Sequence, residues 1–205
     1  MNPAKDRDLH GNVPNSAPTV LLLVDVLNDR DFEGGDALLP SALTMAQKLR
    51  DFKRKMKPLR VPVVYANDNF GKWQSDIRTV VAHCLNDEVR GAPIVRLLQP
   101  DDDDYCVLKP KHSAFYGSPL DILLTYLQAQ TLILGGLTSD NCVLFTAMDA
   151  YLRDFKLHVP FDGSAASDAQ RHARALDHMR DLLKADTTPL GELKLDENGR
   201  LAASR

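Results

Sequence analysis

"TLILGGLTSDNCVLFTAMDA", residues 131–150, decides the fold. Its first half is a continuous apolar run rather than an alternating one, which fits a strand buried on both faces, as in a parallel sheet. Two glycines, Gly135 and Gly136, close the run. The small and polar residues Thr138 to Asn141 then turn the chain, and from Cys142 "CVLFTAMDAYLRDF" reads as a mostly buried helix. A strand, a tight turn and a helix in this order make one unit of an open α/β sheet, whose functional sites lie at the carboxyl ends of the strands.

The same pattern recurs outward in both directions. "TVLLLVD" (19–25), "VPVVYAND" (61–68) and "YCVLK" (105–109) are strand-like apolar runs, and "KLHVPFD" (156–162) is a weaker one. Helical spacing lies between them. Met45, Leu49, Phe52 and Met56 recur at intervals of three and four before Pro58, "SPLDILLTYLQAQ" (118–130) leads into the next strand, and a short helix is expected near 76–85. "SDAQ" (167–170) has the form of a capping box for a last helix with apolar positions Ala169, Ala173, Leu176, Met179 and Leu183. Alternating strands and helices predict a single-domain, three-layer α/β/α fold with a mostly parallel, open, Rossmann-like sheet. The domain is expected over 19–185, after a polar, flexible arm (1–18) and before an extension (186–205) that packs on the domain or on a neighbouring subunit.

Composition narrows the function classes. The 205 residues carry a formal charge of −3, with 44% hydrophobic and 26% charged residues, so nothing favours nucleic acid or an anionic membrane surface. No apolar run approaches the roughly 20 residues of a membrane span, and the opening residues lack the apolar stretch of a secretory signal. Cys84, Cys106 and Cys142 are odd in number and have no CxxC spacing, which argues against a disulfide framework or a zinc cluster and for a reducing cytoplasm. The aspartates of "QPDDDD" (99–104) read as a solvated acidic turn rather than a cation site.

At the strand ends stand Asp25, then Asn67, Asp68 and Asn69, then Lys109, then the 135–142 turn. An acid, an amine and a thiol thus share one sheet edge. In the first turn of a helix Cys142 would meet unpaired N–H groups and the positive end of the helix dipole, which favour a thiolate, lower the thiol pKa and can hold an oxyanion. Plainer readings fit the same residues: a cysteine as a small buried hydrophobe, an aspartate binding loop amides, a solvated lysine. Residue types and spacing leave both open.

Three blocks resemble the isochorismatase-like cysteine hydrolases, a family that includes nicotinamidase, N-carbamoylsarcosine amidase and isochorismatase. They are "LLLVDVLND" (21–29), "LKPKHSAFYGSPLDILL" (108–124) and the stretch from Leu132 through "GGLTSDNCVLFTAMDA", and the resemblance spans residues 19–184. It implies a catalytic triad of Asp25, Lys109 and Cys142, a non-proline cis peptide between Leu137 and Thr138, and an oxyanion hole made by the N–H groups of Thr138 and Cys142. The S-A-F anchor at 113–115 selects Lys109 over Lys111 and His112 as the family's lysine. Cys84 follows His83, but neighbours on a helix face apart, and Cys106 reads as strand packing.

Departures from the family pattern bear on the substrate. Leu27 stands where Gln is frequent, and Ser139 where Thr is frequent. "NDNFGKWQSD" (67–76) lacks the histidines that nicotinamidases present with an aspartate to a metal. Imidazole-poor chemistry disfavours a transition metal at Asp68, and with it nicotinamide as substrate. Asn69, Phe70, Trp73 and Phe115 are the candidate pocket residues. The resemblance implies a homo-oligomer, dimer or tetramer, that needs no cofactor and cleaves a C–N bond (amide, ureido or lactam-like) of a small molecule through a cysteine thioester. A vinyl-ether hydrolase using the aspartate as acid, or a silent binding protein, are the alternatives.

Overall fold

The computed structural model describes residues 16–86 and 89–201. Five strands form one parallel sheet: β1 (Thr19–Val24), β2 (Val63–Asp68), β3 (Tyr105–Lys109), β4 (Thr131–Leu137) and β5 (Lys156–His158), in the order β3-β2-β1-β4-β5. A two-residue strand, β6 (Ser164–Ala165), pairs in parallel with the end of β4. Around the sheet lie α1 (Gly35–Met56), α2 (Ile77–Asn86), α3 (Ala92–Leu97), α4 (Leu120–Leu127), α5 (Cys142–Tyr151) and α6 (Ala169–Leu183).

Why the runs are continuous is visible in β1. Side chains alternate across a strand: Val20, Leu22 and Val24 join one core with α4, α5 and α6, while Leu21 and Leu23 join another with α1, α2 and α3. Both faces are covered, so every position is apolar and all six residues are buried. This is the three-layer α/β/α fold that the sequence predicts.

Several details differ from the sequence reading. β5 ends at His158, and the chain turns at Phe161–Asp162, where the Gly163 N–H donates to the Pro160 carbonyl, to reach β6. The six-residue α3 and the two-residue β6 are too short to show a period. The last helix is capped not by Ser167 but by Asp168, whose carboxylate accepts the Arg171 N–H at 2.9 Å. The acidic turn is more than solvated: Asp101 and Asp103 receive Lys57, and the largely buried Lys53 ammonium bonds both Asp104 and the Tyr65 hydroxyl. Those carboxylates, the one cluster of three metal-competent groups among the described residues, are thus already matched with lysines at the amino end of the sheet.

At the start of the described chain, Ala17 is already tied to α4, donating its N–H to the Leu127 carbonyl. The 186–201 segment packs on its own domain: Asp186 extends the β5 edge through bonds to Leu157 and Val159, and Leu190 is buried in the α1-side core. Residues 1–15 of the expected arm and 202–205 of the extension lie outside the described residues. Among the described residues no helix is long and apolar enough to cross a membrane.

Candidate active site

Parallel register brings the polar strand ends together. Val24 pairs with both Ala66 and Gly136, and Asp68 pairs with Lys109. Asp25 follows Val24 in the left-handed region (φ 50), which aspartate tolerates better than most residues. Gly136 is required by this packing: at φ 123 an added Cβ would lie 2.0 Å from the Val24 carbonyl oxygen. The β1–β4 approach that positions Asp25 against the turn thus depends on a missing side chain.

Asn67 fixes the loop leaving β1. Its side chain accepts the Leu27 N–H at 3.0 Å and donates to the Leu27 carbonyl at 2.8 Å, and it is almost fully buried. Asn67→Ala would leave both backbone groups without partners; each costs about 1–3 kcal/mol when stranded in the interior. A loss of about 2–4 kcal/mol in urea unfolding is expected, and a loss below about 0.5 kcal/mol would show that the loop does not depend on this pair.

Asp25, Lys109 and Cys142 converge at the carboxyl edge. Lys109, fully buried, puts Nζ 2.7 Å from Asp25 Oδ2 and donates to the Lys111 carbonyl at 3.0 Å. Asp25 Oδ1 accepts the Asp68 N–H at 2.7 Å, and the Asp25 carboxylate also hydrogen-bonds the Cys142 thiol. The solvated-lysine reading is thereby excluded. Burial raises the Asp25 pKa above its ordinary value of 3.8, against the lowering pull of the Lys109 charge and the hydrogen bonds.

One expectation reverses here. Helix-end position predicts a lowered thiol pKa, yet the Cys142 thiol is pushed up to about 12, first by burial and then by the Asp25 charge, against the pull of Lys109. Position at a helix N-terminus speaks only to the dipole; desolvation and a carboxylate in contact outweigh it. The resting group is a neutral thiol beside the Asp25 carboxylate.

The Leu137–Thr138 peptide is cis. The turn after it is built from bonds of Ser139 N–H to the Ala165 carbonyl and of the Asn141 and Val143 N–H groups to the Thr138 carbonyl. Among the described residues the N–H groups of Thr138 and Cys142 have no acceptor paired with them. β6, which the sequence did not disclose, is what holds this turn.

The expected pocket residues scatter. Asn69 is buried and braces its own loop, accepting the Gly71 N–H at 2.9 Å, while Phe70 and Trp73 are exposed. Phe115 is a core residue: it packs on Phe155 with ring centroids 6.1 Å apart and under the Arg153 guanidinium at 4.6 Å, which corrects its expected place on a pocket wall. A groove of about 920 Å³ lies among the strand beginnings near Thr19, Val63 and Tyr105, away from the triad side chains. A smaller one of about 350 Å³ adjoins Thr138, Asn141 and Phe32. Its place beside the thiol's turn, not its size, makes it the one relevant to chemistry at Cys142.

Two neighbours of the site were not foreseen. Arg30 is 2% exposed and donates from Nη2 to the Asp25 carbonyl at 3.0 Å, and burial lowers its pKa to about 10. His112 approaches Cys142 Sγ to 3.8 Å. A resident transition metal does not fit the donor set: Asp68 accepts the Phe70 N–H with one oxygen, and His83 is bonded to Asp29 at 3.1 Å. Among the described residues the metal-competent groups gather only at Asp101, Asp103 and Asp104, and none gathers at Asp68 to hold such an ion.

Comparison with known proteins agrees with this geometry. The isochorismatase domain model matches residues 19–188. The isochorismatase family protein YaaI of Bacillus subtilis (strain 168) is 36% identical over 174 residues, covering 85% of this chain and 95% of YaaI. In structure, N-carbamoylsarcosine amidase from Thermoplasma acidophilum superposes with a TM-score of 0.67 at 26% identity, over 86% of this chain and 98% of that one. The nicotinamidase of Staphylococcus aureus shares the fold, with a TM-score of 0.64 at 20% identity over 84% and 98% of the two chains. With the family model matched over residues 19–188 and a relative 36% identical over most of both chains, the chain belongs to the isochorismatase family of hydrolases.

Proposed function

We propose that the protein is a cysteine amidohydrolase that cleaves a C–N bond of a small amide, ureido compound or lactam through a thioester on Cys142. One observation carries this reading: the Asp25 carboxylate holds the buried Lys109 ammonium at 2.7 Å and stands beside the Cys142 thiol, near enough for its charge to push the thiol pKa up. Asp25 takes the thiol proton as sulfur attacks the carbonyl carbon, so the thiolate exists only during attack. Lys109 balances the negative charge that then moves from Asp25 to sulfur and on to the carbonyl oxygen. The N–H groups of Thr138 and Cys142 receive that oxyanion. Protonated Asp25, its pKa raised by burial, gives the proton to the leaving nitrogen, and water releases the acid from the thioester. A cysteine nucleophile is superfluous for vinyl-ether cleavage, which favours the C–N reading.

Amine or ammonia release from a panel of small amides, with intact-mass detection of an acyl adduct, tests the proposal. No turnover of any amide, together with isochorismate cleavage lost in Asp25→Ala, would replace it with the vinyl-ether reading.

The pH profile has a definite sign. Asp25 must be ionised to accept the thiol proton, and its pKa is raised from 3.8, so activity falls as pH drops through a range above that of an ordinary aspartate. The thiol's own titration, near 12, gives no alkaline gain in the neutral range. A kcat/KM profile still flat at pH values where exposed carboxylates are protonated would count against Asp25 as the base.

A further inference from the structure

Asp25 is not alone among the titratable side chains beside the sulfur. His112 Nδ1 lies 3.8 Å from Cys142 Sγ, and its ring rests tilted on Phe145 with centroids 5.5 Å apart. His112 and Phe145 are both exposed, so the imidazole meets the sulfur from the solvent side, whereas Asp25, 8% exposed, meets it from the buried side. Activation of the nucleophile is assigned to Asp25, the carboxylate paired with Lys109 whose charge reaches the thiol, so His112 is free for another step.

Thioester hydrolysis needs a base at a later moment. Once Asp25 has passed its proton to the leaving nitrogen it is again a carboxylate, with Oδ2 held by Lys109 and Oδ1 by the Asp68 N–H, each at 2.7 Å. Water must reach the thioester carbon, one bond from Sγ, and it arrives from solvent, where the imidazole stands. We propose that His112 is the general base of deacylation, an assignment that rests on the amidohydrolase reading above. Neutral Nδ1 takes a proton from water as the water oxygen bonds to the thioester carbon. The C–S bond then breaks with its electron pair on sulfur, the imidazolium returns the proton to that sulfur, and the acid leaves.

p-Nitrophenyl acetate tests this without knowledge of the natural substrate, because an activated ester acylates a nucleophilic thiol directly. The nitrophenolate burst reports acylation, and decay of the acetyl mass on the intact protein reports deacylation. In His112→Gln the burst rate and amplitude are expected to stay within about twofold of wild type, while acetyl decay slows about 100-fold, the lower range for general base catalysis. In His112→Gly, added imidazole should restore decay, which a packing role would not permit. Unchanged decay in His112→Gln, a parallel fall of burst and decay, or no rescue by imidazole would each overturn the proposal. A wild type that forms no acetyl adduct and releases nitrophenolate no faster than Cys142→Ala overturns it together with Cys142 as nucleophile. A burst with normal His112 dependence but no ammonia from any amide refutes the amide reading alone.

Discussion

Replacing Cys142 by alanine is expected to reduce amide turnover by roughly 10⁴- to 10⁶-fold, the range for removing a nucleophile that acts as a unit with its base. The fold should stand. Cys142 opens α5 at the rim of the core and is partly exposed, so losing Sγ removes the contacts of one small side chain; a change of this size costs about 1 kcal/mol. The burial that pushes Cys106 up to about 11 leaves that thiol protonated too, and it lies near the start of β3, at the opposite end of the strand from Lys109. Cys84 is wholly buried in the α1-side core. Alanine at either position is therefore expected to leave turnover within a few-fold, and an acyl mass adduct should vanish only in Cys142→Ala. Equal amine release by Cys142→Ala and wild type would remove the thioester from the mechanism.

How much of this was legible in the sequence follows from what kind of physics each feature needs. Strands buried on both faces print their burial directly as unbroken apolar runs, so β1, β2, β3 and β4 could be placed to within two residues. Asp25, Lys109 and the Cys142 turn follow because polar residues that end such runs share the sheet edge, and the family blocks separate Lys109 from Lys111. Other features depend on where the chain returns in space. The thiol pKa reversed sign because desolvation and contact with Asp25 are tertiary facts, invisible to a helix-end argument. Phe115 lies six residues past Lys109, yet its ring turns into the α4–α5 core. His112 was set aside because the anchor chose Lys109, and no linear spacing shows that the 110–119 loop folds its imidazole onto the sulfur. Arg30 gives no signal in the sequence; its guanidinium is recognised only where it meets the Asp25 carbonyl.

Lys109→Met should be the most destabilising change at the site, and its pH dependence should identify the reason. Methionine keeps the length and apolar stem but deletes the charge, and removing one partner of a buried ion pair costs about 3–5 kcal/mol because the other charge is stranded. The stranded group is Asp25, since the Arg30 guanidinium bonds its carbonyl and not its carboxylate. Burial already raises the Asp25 pKa, and the Lys109 charge is the largest influence holding it down. Without that charge the native state holds its proton to still higher pH. A carboxyl group whose pKa is higher folded than unfolded binds more protons in the native state, so stability falls as pH rises from the unfolded value of 3.8 through the folded one. Urea unfolding should therefore show the gap between Lys109→Met and wild type widening from pH 5 to pH 8, by up to about 1.4 kcal/mol per pH unit while Asp25 titrates. Asp25→Asn added to Lys109→Met removes the stranded charge, so the double variant should regain much of the loss and lose the pH dependence. The double variant should not turn over substrate at any pH, because the amide of Asp25→Asn cannot take the thiol proton, and Lys109→Met should lose turnover because no cation balances the charge passed to sulfur. A Lys109→Met protein within 1 kcal/mol of wild type at both pH values, or one that the second substitution fails to rescue, would mean that the pair does not carry the electrostatic load assigned to it.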